Sequence, residues 1–112
     1  MNKYSADELF KIAYSHLQKK EFEKSTQLFE KLLNDYPDNL SILRNLSHSY
    51  AFSGAFKKAE ECIKKVIKIK PDEAFAYQFL ASVLKNQDKI EEMIKIVTDG
   101  LKKNLIKEFL IN

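Results

Sequence analysis

The sequence contains few of the residues that break or cross-link a chain. Its 112 residues include one cysteine, two glycines, two prolines and no tryptophan. The single cysteine, Cys62, excludes an internal disulfide and a multi-cysteine metal site. So little glycine and proline excludes a turn-rich β-sandwich and a glycine-rich phosphate-binding enzyme, and it favours long helices.

The chain also lacks a long apolar run and a strong excess of one charge. Apolar stretches such as Phe109-Leu110-Ile111 are far shorter than the roughly 20 residues that span a bilayer. Asp7 and Glu8 come before any apolar run develops, so we predict no export signal and a cytoplasmic location. The net charge is +3, which by itself does not indicate a nucleic-acid partner. With 45% hydrophobic and 31% charged residues, we expect residues 1–112 to form one folded domain.

The sequence repeats itself at a fixed period. Pro37 and Pro71 are 34 positions apart, and each is followed by an aspartate. A shift of the same length aligns large apolar residues with one another and small residues with small ones, which gives copies at 6–39, 40–73 and 74–107. The aligned columns include Leu9/Leu43/Tyr77, Ile12/Leu46/Leu80, Ala13/Ser47/Ala81, Phe22/Phe56/Ile90, Ser25/Ala59/Met93 and Phe29/Ile63/Val97.

Each copy has two amphipathic helical patterns separated by polar or small residues. Ser5 with Glu8, and Asp88 with Glu91, have the spacing of capping boxes at helix starts. The pattern predicts an all-α fold with helices over 6–18, 22–35, 40–52, 56–69, 74–86 and from 90 to beyond 101. In copy one, the first helix has its core residues at the spacing i, i+3, i+4, i+7, namely Leu9, Ile12, Ala13 and His16.

The period, the small residue between two large ones and the closing proline make the chain resemble the tetratricopeptide repeat family. The family pattern is W-x2-L-G-x2-Y, then A-x3-F, then P. Copy three departs most from it, with Met93 in a small-residue place and Leu105 where proline would be. The resemblance implies a right-handed solenoid of three helix-turn-helix repeats without catalytic activity. Copy two matches best, with Leu43, Leu46, Ser47, Tyr50, Ala59, Ile63 and Pro71.

The resemblance also implies a concave surface, lined by the first helix of each repeat, where partners of this family usually dock. Five aromatic rings lie on the non-core face of these helices, and an exposed apolar patch marks an interaction site. We therefore predict an adaptor- or chaperone-like module that binds an apolar helix or extended segment of another protein. The alternative is that some of these rings pack against adjacent helices. The predicted groove contains Phe10, Tyr14, Leu17, Arg44, Asn45, His48, Phe52, Phe75, Gln78, Phe79 and Ser82.

One known type of partner does not fit this groove. Clamp-type members of the family hold the acidic tail of heat-shock chaperones with lysine, asparagine and arginine side chains. The corresponding places hold Phe10, Tyr14, Asn45, Phe75 and Phe79 here, and only Asn45 agrees. Without cations there, the groove has no charge-assisted donors for a terminal carboxylate. We therefore exclude a heat-shock chaperone tail as the partner.

The end of the chain remains apolar and allows two interpretations. We expect residues 104–112 to fold back as a short cap, because a terminal repeat normally needs one. The alternative is that the last helix runs on and forms a contact of a structural, self-assembling protein, with a homodimer as the simplest case. The residues of that contact would be Leu101, Leu105, Phe109 and Leu110.

No combination of residues predicts catalysis, a metal site or a cofactor. His16 belongs to a core column and His48 to the groove, and neither has a second ligand at metal-binding spacing. Cys62 lies next to a core column without a histidine to activate it. A lysine-rich stripe runs along the second helix of copy two, on the side away from the aromatic residues. We therefore predict no nucleic-acid partner, and weak binding of single-stranded RNA stays a third hypothesis.

Overall fold

The computed structural model describes the backbone of residues 3–111 and the side chains of residues 3–103. Each helix contacts the next one along the chain, and α1 also contacts α3. The predicted all-α helical repeat is confirmed, because six helices without a strand in the described residues fit three repeats. The helices are α1 (Ala6–Gln18), α2 (Phe22–Asp35), α3 (Leu40–Phe52), α4 (Phe56–Ile69), α5 (Ala74–Asn86) and α6 (Ile90–Ile111).

The turn inside each repeat has the same backbone conformation. Lys20, Gly54 and Asp88 occupy equivalent places in the three repeats and have positive φ angles of 62°, 88° and 62°. In each turn the amide of the next residue donates to a carbonyl five residues earlier, as from Glu21 to His16 at 2.9 Å. This pattern closes a helix through one left-handed residue. Only the middle repeat uses glycine, the residue that adopts this conformation without steric cost.

Two of the predicted helix starts differ in their capping. The Ser5 side chain accepts a hydrogen bond from the Glu8 amide at 3.2 Å, as the capping-box spacing predicts. The prediction of an Asp88 cap is wrong, because Asp88 has a left-handed φ angle and α6 begins two residues later, at Ile90. The requirement of the turn for a left-handed residue outweighs the capping preference of aspartate, which also tolerates that conformation.

The core runs through all three repeats between the helix pairs. Ala13, Ser47 and Ala81, the predicted small-residue column, are buried, which lets neighbouring helices approach closely. One cluster joins Phe29 of α2 to residues of α1 and α3, and a second joins Ile63 of α4 to residues of α5. The first and second repeats thus each bury an apolar face against the repeat that follows.

Buried hydroxyl groups fix the contact between α2 and α3. Ser49 Oγ shares hydrogen bonds of 2.6 Å with both Ser25 Oγ and Thr26 Oγ1. Ser49 also donates to the Phe22 carbonyl at 3.2 Å. Because polar groups in a core are costly without partners, this set of bonds favours one register of the two helices.

The expected fold-back of residues 104–112 is wrong. The helix α6 continues without interruption to Ile111, because no proline or left-handed residue ends it. Gly100 does not break the helix, and it allows close packing on α5, where an added Cβ would lie 3.0 Å from Tyr77 Cβ. The side chains of Leu105, Phe109 and Leu110, which we assigned to an oligomer contact, lie outside the described residues.

Candidate functional site

Four aromatic side chains from α3 and α5 form one continuous group on the predicted groove. His48 and Phe52 are one helical turn apart on α3, and Phe75 and Phe79 are one turn apart on α5, so each pair shares a helix face. The His48 ring lies at the centre, with ring centroids 4.5 Å from Phe79, 5.6 Å from Phe75 and 5.8 Å from Phe52. We call these four residues the aromatic cluster. Such distances are typical of favourable ring pairs.

The members of the aromatic cluster differ in exposure. Phe52 is 61% exposed and Phe75 is 44% exposed, so both rings present apolar surface to solvent. Phe79 is half-buried and packs against both core clusters. Burial lowers the pKa of His48, which keeps its ring neutral at pH 7. The centre of the cluster is therefore uncharged under ordinary conditions.

Polar side chains beside the cluster form hydrogen bonds within the chain. The Arg44 guanidinium donates to Glu73 at the start of α5 at 2.5 Å, and this ion pair links α3 to α5. Arg44 Nε is buried without a hydrogen-bond partner among the described residues. The Asn45 amide donates to the Ser41 carbonyl at 2.8 Å. Arg44 is the one cation among the predicted groove residues, and Glu73 neutralises it.

The remaining predicted groove residues have other contacts and exposures than the aromatic cluster. Phe10 packs edge-to-face on Phe29 with centroids 5.5 Å apart, and it and Leu17 both contact the core. Tyr14 is 42% exposed on α1. Ser82 is exposed and its carbonyl accepts from Asn86. Gln78 lines a shallow pocket between α5 and α6 instead.

Sequence reasoning missed one ring that extends the cluster. Phe22 was placed in an aligned column of the repeat and not in the groove, but its ring lies 5.7 Å from Phe52 and continues the aromatic surface onto α2. Its position at the first residue of α2, directly after the turn, was the available signal. Because α2 and α3 are adjacent and antiparallel, the first residue of α2 lies beside the end of α3, where Phe52 is.

The described side chains can be compared with two common kinds of reactive site, a metal centre and an activated thiol. No group of three or more His, Cys, Asp or Glu residues within 3–103 could hold a metal ion. Burial raises the pKa of the Cys62 thiol to about 11, which makes thiolate chemistry unfavourable at neutral pH. None of the helices in the described part of the chain is long and apolar enough to cross a membrane.

A model of the tetratricopeptide repeat matches residues 16–91, which is more than half of the chain. The chain belongs to the tetratricopeptide repeat (TPR) family. The resemblance inferred from the sequence is thereby confirmed. TPR domains are scaffolds for protein–protein interaction, generally without catalytic activity, so the fold supports the coarse functional class.

Similar proteins differ widely in length. The CTR9 homolog of Arabidopsis thaliana is 35% identical over 79 residues, which is 70% of this chain but 7% of that protein. The crystal structure of MamA has a TM-score of 0.85 at 20% identity, and the match covers 96% of this chain and 63% of the MamA chain. The Sgt2 TPR domain from Aspergillus fumigatus has a TM-score of 0.78 at 21% identity and covers 88% and 66%. These structures share the TPR fold with this chain.

Proposed function

We propose that the protein is a non-catalytic, adaptor- or chaperone-like interaction module that binds an apolar or amphipathic segment of another protein on the aromatic cluster. The observation that supports this proposal is the exposure of Phe52 and Phe75 on either side of the neutral His48 ring. Both exposed rings contact the His48 ring and form an apolar patch with it, and such patches mark binding sites. The family fold agrees with a protein partner.

The shape and chemistry of the cluster favour large apolar anchors. A partner side chain that covers Phe52 and Phe75 would be removed from water. Burial of a leucine or phenylalanine in this way contributes about 1.5–3 kcal/mol to the free energy of binding. Two such side chains one helical turn apart match the spacing of the rings along α3 and α5. An amphipathic helix presents its anchors at this spacing.

The charges near the cluster favour an apolar segment of a protein as the partner over an acidic peptide tail or a nucleic acid. Arg44, the cation beside the cluster, is paired with Glu73 at 2.5 Å, and this negative charge weakens its attraction for a further carboxylate. On α4, Lys64 is paired with Glu60 and Lys65 with Asp38. Binding of RNA on the cluster would require cations next to the rings.

The proposal can be tested by selecting binders of the wild-type chain from a display library of helical peptides. Peptides that bind the wild-type chain are synthesised, and their affinities are measured by fluorescence polarisation against Phe52→Ala/Phe75→Ala. We expect the double variant to bind at least about tenfold more weakly, because ring anchors at the centre of an interface dominate its energy. Both positions are exposed, so the fold should remain intact.

The matched control is Tyr36→Ala/Ile69→Ala, which removes two apolar side chains that are 48% and 41% exposed outside the cluster. It should bind the peptides like the wild type. Peptides that bind both double variants equally would overturn the proposal. Binding of a single-stranded RNA oligonucleotide with a steep salt dependence would instead support the nucleic-acid hypothesis.

A further inference from the structure

The helix α6 has an apolar stripe that the described residues leave about half exposed. Ile90, Ile94, Val97 and Leu101 are 43%, 57%, 43% and 59% exposed. Their spacing of four, three and four residues places them on one face of the helix. At 1.5 Å per residue the stripe is about 16 Å long. We call these four residues the α6 stripe.

The other repeats show what kind of group covers this position. Val97 occupies the place that Phe29 has in the first repeat and Ile63 in the second, and both of these are 0% exposed. Phe29 is buried with Ile42 of the following helix α3, and Ile63 is buried with Leu80 of the following helix α5. In the part of the chain that the structure describes, no helix follows α6 to cover Val97. The position is thus shaped for another helix.

The opposite end of the molecule does not complement the α6 stripe. The residues of α3 that cover the preceding repeat include Ile42 and Leu46, and their equivalents on α1 are Glu8 and Ile12. Glu8 is exposed and Ile12 is half-buried. A head-to-tail stack would place the Glu8 carboxylate on the apolar side of Val97, which is unfavourable because the charge would lose its water.

The charges beside the stripe indicate its partner. Glu91 and Lys102 are exposed and lie on the same flank of the stripe, next to Ile90 and Leu101 respectively. In an antiparallel pair of α6 helices, Glu91 of each copy lies opposite Lys102 of the other copy. In a parallel pair the two flanks that carry these charges lie on opposite sides of the contact, so Glu91 and Lys102 have no partner of opposite charge in the other copy. The stripe is therefore complementary to itself in the antiparallel direction.

We propose that two copies of the chain associate through the α6 stripe, with the two α6 helices antiparallel and related by a two-fold axis. Such a contact is self-complementary and closes at two chains. It also buries Val97 under a helix, as Phe29 and Ile63 are buried in the other repeats. The α6 stripe shares no residue with the aromatic cluster.

Sedimentation equilibrium of the full 112-residue chain tests the proposal. We expect the mass to rise with concentration from 13.1 kDa to twice that value and no further. The variant Ile94→Lys should raise the dissociation constant at least about tenfold, because it places a cation in the centre of the apolar contact. Ile94 is 57% exposed, so circular dichroism should show an unchanged fold. The control Ile69→Lys, at an exposed position on α4, should dimerise like the wild type.

A charge exchange tests the antiparallel direction. Glu91→Lys alone and Lys102→Glu alone should each weaken the dimer, and the double variant Glu91→Lys/Lys102→Glu should restore it. A chain that stays monomeric up to about 1 mM, a mass that exceeds two chains, or dimerisation that Ile94→Lys leaves unchanged would overturn the proposal. Single charge variants without effect would overturn the antiparallel arrangement.

Discussion

Lys89, in the turn before α6, donates a hydrogen bond to Glu60 of α4, with 3.0 Å between Nζ and Oε1. The same carboxylate accepts from Gln87 at 2.9 Å and from Lys64 at 2.6 Å. Burial of Glu60 raises its pKa, but the hydrogen bonds from Lys64, Lys89 and Gln87 outweigh this effect and lower the pKa to about 2. One acidic side chain thus joins the second repeat to the third.

We expect Glu60→Gln to lower the free energy of unfolding at pH 7 by about 1–3 kcal/mol, because it removes the carboxylate that pairs with Lys64 and Lys89. The loss is not larger because solvent screens the two partly exposed lysines. The folded pKa of about 2 lies below the ordinary glutamate value of 4.5. The contribution of Glu60 is therefore complete above pH 4.5 and disappears as the pH falls towards 2. Urea unfolding of both proteins between pH 7 and pH 2 measures the difference. Glu61→Gln, at the exposed neighbour, should have little effect, and a pH-independent difference for Glu60→Gln would contradict this account.

Lys20 has a left-handed backbone at a position where the second repeat has glycine. A non-glycine residue in this conformation costs about 1–2 kcal/mol, partly offset by the larger entropy that glycine has in the unfolded chain. We expect Lys20→Gly to raise the free energy of unfolding by up to about 1 kcal/mol. The neighbouring Lys19 has a φ angle of −80°, so Lys19→Gly should lower stability instead. Equal effects of the two variants in thermal unfolding would show that the turn conformation is not the cause.

Ser49 is the centre of the buried hydroxyl group between α2 and α3. We expect Ser49→Ala to lower the free energy of unfolding by about 1–3 kcal/mol, because Ser25 and Thr26 lose a hydrogen-bond partner inside the core. Ser82→Ala is a control that makes the same change at an exposed position of α5. Chemical denaturation of the three proteins tests this expectation. If Ser49→Ala proved no less stable than Ser82→Ala, the hydroxyl contacts would have no net value.

Phe29, Ile63 and Val97 occupy equivalent positions of the three repeats, and of these only Val97 is exposed. We expect Ile63→Ala to lower the free energy of unfolding by about 2–5 kcal/mol, because it leaves a cavity under α5. Val97→Ala, at the equivalent exposed place on α6, should change stability by less than about 1 kcal/mol when measured on the dilute, monomeric chain. Similar losses for both variants would mean that Val97 is buried within one chain.

The helices could be predicted almost entirely from the sequence because the signals repeat. A pattern that recurs in successive copies supports each assignment two or three times, and turn residues separate the helices clearly. The end of α6 could not be predicted in this way. Leu101 and the apolar residues after it fit a fold-back cap and a continued helix equally well. A cap would bury these residues and a continued helix would expose them, but both require the same apolar pattern.

The site could be predicted in part. The four residues of the aromatic cluster were all on the predicted groove, since helix spacing alone places His48 with Phe52 and Phe75 with Phe79. The spacing does not give the rotation of α1 in its packed position, which turns Phe10 onto Phe29. It also cannot show that Arg44 is neutralised by Glu73, which lies beyond α4 in the sequence. Contacts between distant residues depend on how the repeats stack.

The ring contacts of His48 and the pair of Arg44 with Glu73 both join α3 to α5. Two independent links hold these helices at a fixed separation, so the groove is formed before a partner arrives. The loss of conformational freedom on binding then falls mainly on the partner. A segment that is already helical in solution should associate more tightly than an equally apolar segment that is disordered when free.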